Sequence, residues 1–241
     1  MFTQNKIAGV IGGMGPAATI DFMSRVMSAS DVRRDQDHLR MLVDHNPAVP
    51  SRQAAMRGEG ESPGPVLASM ARGLEASGAD FIVMPCNLAH FWQTDIEHSA
   101  SIPFLSIVDA SVAAAIARSD DNDAVGILTT PGCQTAGLYQ HAFATEGRKI
   151  VLQTKHELAT AMAVVEGVKL GDRSEQQAVR LRALAQALLD RGATLLLAAC
   201  TEFPLLLKDS MFDVPLISST DELAKVTVAN ATALAHKQVL T

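Results

Sequence analysis

One nine-residue segment occurs twice in this chain. Gly78-Ala79-Asp80-Phe81-Ile82-Val83-Met84-Pro85-Cys86 aligns with Gly192-Ala193-Thr194-Leu195-Leu196-Leu197-Ala198-Ala199-Cys200 at a constant offset of 114 residues. The match extends outward: Pro103 and Asp109 have counterparts in Pro215 and Asp221 at an offset of 112, and Ala8-Gly9-Val10-Ile11 resembles Val125-Gly126-Ile127-Leu128 at 117. At 241 residues there is room for one large domain or two small ones. The repeat favours two copies of one unit over a chance run of similar strands.

The unit itself alternates short apolar runs with helical periods. Ile7 to Ile11 is a buried-strand run closed by Gly12-Gly13-Met14-Gly15-Pro16, and Ala17 to Ala29 then repeats apolar residues every 3.6 positions. Met41 to Asp44 reads as a second strand, and Arg57 to Pro65, rich in Gly, Glu and Pro, as an exposed, mobile loop. Helix Pro65 to Ser77 and strands Phe81 to Met84 and Phe104 to Ile107 continue the alternation. The expectation is an α/β protein of two similar domains related by a pseudo-twofold, each with a mainly parallel sheet flanked by helices. The first domain is expected to comprise residues 1–107 and to take back the C-terminal helix within 218–241; the second fills 108–217. Ligands of such sheets lie at the carboxyl ends of the strands, where Cys86 and Cys200 fall, so the active site is expected in the cleft between the domains.

Composition excludes several functions. The formal charge of −6 lacks the basic excess that phosphate backbones require, so nucleic acid is not expected as a partner. With aromatic residues at 4%, little is available for base-stacking platforms, and a small polar ligand fits better. Ser99 to Ala117, the most apolar long window, is broken by Pro103 and carries Asp109, so no membrane span is expected. The three cysteines cannot all pair and form no C-x-x-C clip, which points to free thiols, no metal site, and a reducing, cytoplasmic compartment. The N-terminus shows no signal-peptide apolar region.

Two thiols on opposite walls of one cleft suit a definite chemistry. Inverting an α-carbon needs a base on one face and an acid on the other, and a thiol and a thiolate can exchange those roles. A lone cysteine is as readily a small buried hydrophobe; two at matching strand ends, each followed by polar residues, favour chemistry. Helix N-termini and nearby cations are expected to lower their proton affinity.

Three strings, Gly12-Gly13-Met14-Gly15-Pro16 with Ala18-Thr19, Pro85-Cys86-Asn87 with Ala89-His90, and Cys200-Thr201-Glu202, resemble the signatures of the aspartate/glutamate racemase family, in order along the whole chain. The resemblance leans toward aspartate racemase. It implies cofactor-independent interconversion of L- and D-aspartate, with Cys86 and Cys200 as the two catalytic bases, no metal, and a homodimer. It puts Arg52, in Pro50-Ser51-Arg52, and Lys169, in Gly167-Val168-Lys169, on the side-chain carboxylate of a dicarboxylic amino acid. The offset of 117 between these cations matches that of the opening strands, so each half offers one thiol and one cation. Met14, Asn87, Leu88, Ala89, Thr130 and Thr201 are implied around the substrate. His90, four residues beyond Cys86, either assists the thiol or caps and packs; Glu202 either holds an amino group or satisfies helix amides.

The chain departs from the family pattern twice. Leu88 stands where the family usually has threonine, removing a hydroxyl near the α-carboxylate and widening the possible substrates to glutamate or beyond. Cys133 stands where threonine is common and reads as a passenger or pocket-wall residue. Other readings are a broad-specificity amino-acid racemase, a catalytically silent amino-acid-binding relative, and a nucleotide-binding oxidoreductase. The last rests on Gly13-x-Gly15-x-x-Ala18, but Pro16 interrupts that fingerprint and Asp44 is poorly spaced as its ribose acid.

Overall fold

The computed structural model describes residues 6–238, with side chains to Thr232. Residues 1–5 and 239–241 of the expected first domain lie outside the described residues. In the first half, β1 (Ala8–Gly12), α1 (Pro16–Ala29), β2 (Met41–His45), α2 (Arg52–Met56), α3 (Gly64–Ala76), β3 (Phe81–Val83), α4 (Gln93–Glu97), β4 (Phe104–Leu105) and α5 (Ile107–Ile116) follow one another. The second continues with β5 (Ala124–Leu128), α6 (Pro131–Ala136), α7 (Leu138–Thr145), β6 (Lys149–Leu152), α8 (Lys155–Lys169), α9 (Glu175–Asp190), β7 (Leu195–Ala198), β8 (Leu216–Ser218) and α10 (Ser219–Gln238).

Strands in each half pair in parallel, in the order β2-β1-β3-β4 and β6-β5-β7-β8. The halves therefore share one topology, as the repeat requires. Its physical content is visible at the Gly-Ala pairs. Gly78 and Gly192 end α3 and α9 at φ +93° and +95°, and in both the next alanine donates to the carbonyl five residues back, Ala79 to Leu74 and Ala193 to Leu188. This is a Schellman stop, which only glycine enters without strain. The same alanines then fill the space beside Gly9 and Gly126: a Cβ at either glycine would lie 2.9 Å from the alanine methyl. Helix end and central strand are thus locked together by the same three small residues in each half.

Alternation along the strands sends side chains to two cores. Leu195, Leu197 and Ala199 join Val125 and Ile127 in a cluster continuous with the first half, whereas Leu196, Ala198 and Cys200 join Leu128 in a cluster under α8 and α9. The last helix, α10, leaves the second sheet and packs on α1 and α5 of the first half, burying Leu223, Ala224 and Ala231. Arg25 of α1 is paired with both Asp21 and Asp221, which pins the start of α10 to α1. Among the described residues, no helix is long and apolar enough to cross a membrane.

Candidate active site

In each sheet the chain runs outward in both directions from the central pair, β1 and β3 in one, β5 and β7 in the other. The connections diverge there, leaving a crevice at the carboxyl ends of those strands. One cavity is lined from both halves: Cys86 and Asn87 follow β3, Cys200 and Thr201 follow β7, and Met14 and Thr130 follow β1 and β5. Arg52 opens α2 and Lys169 closes α8, and both cations line the same space. Of the residues singled out from sequence, Leu88 and Glu202 complete the lining, while Ala89 and His90 are not in it. The tight turn Leu88–Trp92 carries these two into the core, where Ala89 is fully buried.

The two thiols are in different surroundings. Cys200 donates its S–H to Glu202 Oε2 at 3.1 Å, and the Thr201 hydroxyl donates to the same oxygen at 3.3 Å. Burial, reinforced by the Glu202 carboxylate, holds the Cys200 thiol well above the ordinary cysteine range. The expected lowering does not occur there, because burial and then the Glu202 carboxylate outweigh the opposing effect of Lys169. Shifting Glu202 back by the repeat offset of 114 gives Leu88, so the carboxylate beside Cys200 is answered beside Cys86 by an apolar side chain. Cys133 is fully buried and does not line the cavity; burial pushes its thiol up to about 12, so it remains protonated.

His90 does not reach the Cys86 sulfur. Its Nε2 accepts the Ile107 N–H at 3.0 Å at the start of α5, which leaves Nδ1 protonated to donate to the Cys86 carbonyl at 2.9 Å. Burial lowers its pKa to about 4, so the ring is neutral and braces the cysteine loop. Asn87 is likewise held: its Oδ1 accepts from the Tyr139 hydroxyl at 2.5 Å and its Nδ2 donates to Ser219 Oγ at 3.1 Å. One side chain beside the cavity thereby ties β3 to α7 and α10.

Arg52 is steadied by its own loop, donating from Nη1 to the carbonyls of Val49 and Pro50 at 3.1 Å each. Lys169 stands 4.0 Å from Glu202 Oε1. Two cations against one carboxylate bias the lining toward an anionic ligand. Sequence reasoning missed Ser51, Gln53, Val165 and Ala199, which also line the cavity. Val165 was legible as the residue one helical turn before Lys169. Gln53 was not, because its role is tertiary: its Oε1 accepts the Gly132 N–H at 2.9 Å, joining α2 to α6 across the cleft. A Cβ at Gly132 would lie 2.6 Å from that oxygen and 2.8 Å from Leu88 Cδ2.

Comparison with known proteins gives concordant findings. A family model described as Asp/Glu/Hydantoin racemase matches residues 11–227. A broad-specificity amino-acid racemase of Bacillus subtilis (strain 168) is 25% identical over 225 residues, covering 92% of this chain and 96% of its own. An aspartate racemase of Picrophilus torridus superposes with a TM-score of 0.85 at 28% identity over 94% of each chain. A glutamate racemase of Francisella tularensis subsp. tularensis SCHU S4, solved with D-glutamate, shares the fold at 16% identity and a TM-score of 0.68, over 98% of this chain and 83% of that one.

Proposed function

Because this chain belongs to the Asp/Glu/hydantoin racemase family, we propose that it racemises aspartate by two-base proton transfer between Cys86 and Cys200. The carrying observation is that thiols from topologically equivalent strand ends line one cavity together with one cation from each half. The Cys86 thiolate takes the α-proton from one face, and Cys200, resting as a thiol on Glu202, gives its proton to the other. The opposite enantiomer runs the sequence in reverse, from a Cys86 thiol and a Cys200 thiolate. Only protons are exchanged, so acid and base on the chain suffice and neither pyridoxal phosphate nor metal is required. Arg52 and Lys169 hold the distal carboxylate. The cavity is proposed to lie between a first unit that takes back α10 and a second that continues from β5, and we propose a homodimer in a reducing, cytoplasmic compartment.

Incubation with L-aspartate in deuterium oxide tests this reading: optical rotation should decay to zero while deuterium enters the α-position, with activity surviving EDTA and hydroxylamine. Absence of α-deuteration would overturn it. One observation favours a second reading, broad-specificity racemisation. Leu88 presents an apolar surface to the cavity, and the Bacillus subtilis relative is named for broad specificity. Comparable exchange of neutral and acidic amino acids would select it.

A further inference from the structure

Glu202 stands in the wall between two cavities. The cysteine cavity and an outer chamber share Glu202 and Lys169 as lining, and the chamber is completed by residues that include Gly15, Pro16, Gly171 and Arg173. Pro16, Lys169, Gly171 and Arg173 are exposed, so the chamber opens to solvent. The carboxylate turns its two oxygens to different neighbours. Oε2 accepts the Cys200 S–H at 3.1 Å and the Thr201 hydroxyl at 3.3 Å. Oε1 is buried without a hydrogen-bond partner among the described residues, 4.0 Å from Lys169 Nζ. A Cβ on Gly15 would stand 3.3 Å from the same Oε1. An unbonded carboxylate oxygen in the interior costs free energy, and its place in this wall gives it a use. Nothing comparable stands beside Cys86. Leu88 takes the matching place, the Asn87 amide does not titrate, and both His90 ring nitrogens are engaged by the Ile107 N–H and the Cys86 carbonyl.

We propose that Glu202 is a proton relay joining the Cys200 thiol to solvent in the outer chamber while a substrate occupies the cysteine cavity, and that Cys86 has no such outlet. The inference rests on the racemase reading above. When the Cys200 thiolate takes the α-proton, the C–H bond breaks, its electron pair stays on the α-carbon, and an S–H bond forms. The thiol passes this proton to Glu202 Oε2. Rotation of the carboxyl group about Cγ–Cδ then brings the O–H to the chamber side, where it gives the proton to water. In deuterium oxide the reverse steps return a deuteron to the sulfur. Lys169 opens the route: its ammonium rides on a flexible stem, 38% exposed, and turns from Oε1 to the substrate carboxylate. Cys86 keeps the proton that it abstracts until the ligand leaves, because the filled cavity is its own way to water.

The test is exchange without inversion. L-aspartate and D-aspartate are incubated separately with the full chain in deuterium oxide, and the unconverted starting enantiomer is recovered at early conversion for mass spectrometry. The enantiomer whose α-hydrogen faces Cys200 should return deuterated, and the other should return with protium. Cys86→Ser, which keeps only Cys200 as base, identifies the former by the enantiomer it deprotonates. Glu202→Gln retains an oxygen to accept the S–H but cannot carry a proton. It should lower the ratio of this deuteration to inversion about a hundredfold, the lower end of what a positioned proton-transfer group supplies. Gly15→Ala, whose methyl crowds Oε1 while the carboxylate stays, should lower the ratio in the same sense, and it decides the matter if Glu202→Gln does not fold. Equal deuteration of both recovered enantiomers, deuteration of neither or only of the one facing Cys86, or an asymmetry that survives Glu202→Gln overturns the relay. Absence of inversion by the wild type overturns the racemase reading and the relay with it.

Discussion

Cys200 donates its S–H to Glu202, while Leu88 occupies the equivalent place beside Cys86, so the proposed two-base reaction gives each thiol its own test. Cys86→Ser and Cys200→Ser should each abolish racemisation. Each should still eliminate a β leaving group from one enantiomer, because elimination needs proton abstraction but no delivery to the opposite face. The two variants are expected to act on opposite enantiomers; the same enantiomer for both would undo the assignment. His90 offers a second test at this scale. Its folded pKa of about 4 lies below the ordinary 6.5, so between these values the unfolded chain binds more protons than the folded one. Its contribution to stability is complete above pH 6.5 and drains away as pH falls toward 4, by about 3 kcal/mol. Urea unfolding of wild type and His90→Gln at several pH values in this window should give curves that converge toward low pH. Parallel curves would show that the ring is not the sensor.

At the scale of elements, the contact of α2 with α6 through Gln53 and Gly132 closes the cleft beside Arg52. Gly132→Ala would put a methyl where the Gln53 carboxamide lies, and Gln53→Ala would delete the acceptor. Each should raise the aspartate KM about fivefold, the worth of one ordinary hydrogen bond, and the double variant should be no worse than either alone. Additive losses would mean that the two residues act separately. This latch marks the limit of what the sequence disclosed. Strands β1, β3, β5 and β7 were legible because each is a continuous apolar run bounded by turn residues, and the cysteines were legible because the repeat put both at strand ends. Contacts that depend on how the halves meet leave no periodicity in either of them. For that reason Gln53 and the partners of Asn87 escaped notice, and Ala89, legible only as a neighbour of Cys86 in the chain, was placed at a cavity from which its turn removes it.

Across the whole molecule, the Tyr139–Asn87–Ser219 chain and α10 join the halves around the cavity. Tyr139→Phe leaves the Asn87 carbonyl oxygen buried without that donor, so a loss of about 1–3 kcal/mol is expected in urea unfolding. The shared core should keep the transition single; a biphasic curve in the wild type would show the halves to be independent. The inequality of the two walls has a kinetic consequence. Enantiomers of a free amino acid have equal energies, so the equilibrium constant of their interconversion is one whatever the protein does. The specificity constants for the L and D substrates must then be identical. A carboxylate beside one thiol and a leucine beside the other can surface only as unlike turnover numbers matched by proportionately unlike Michaelis constants, with one enantiomer saturating the enzyme earlier and leaving it more slowly.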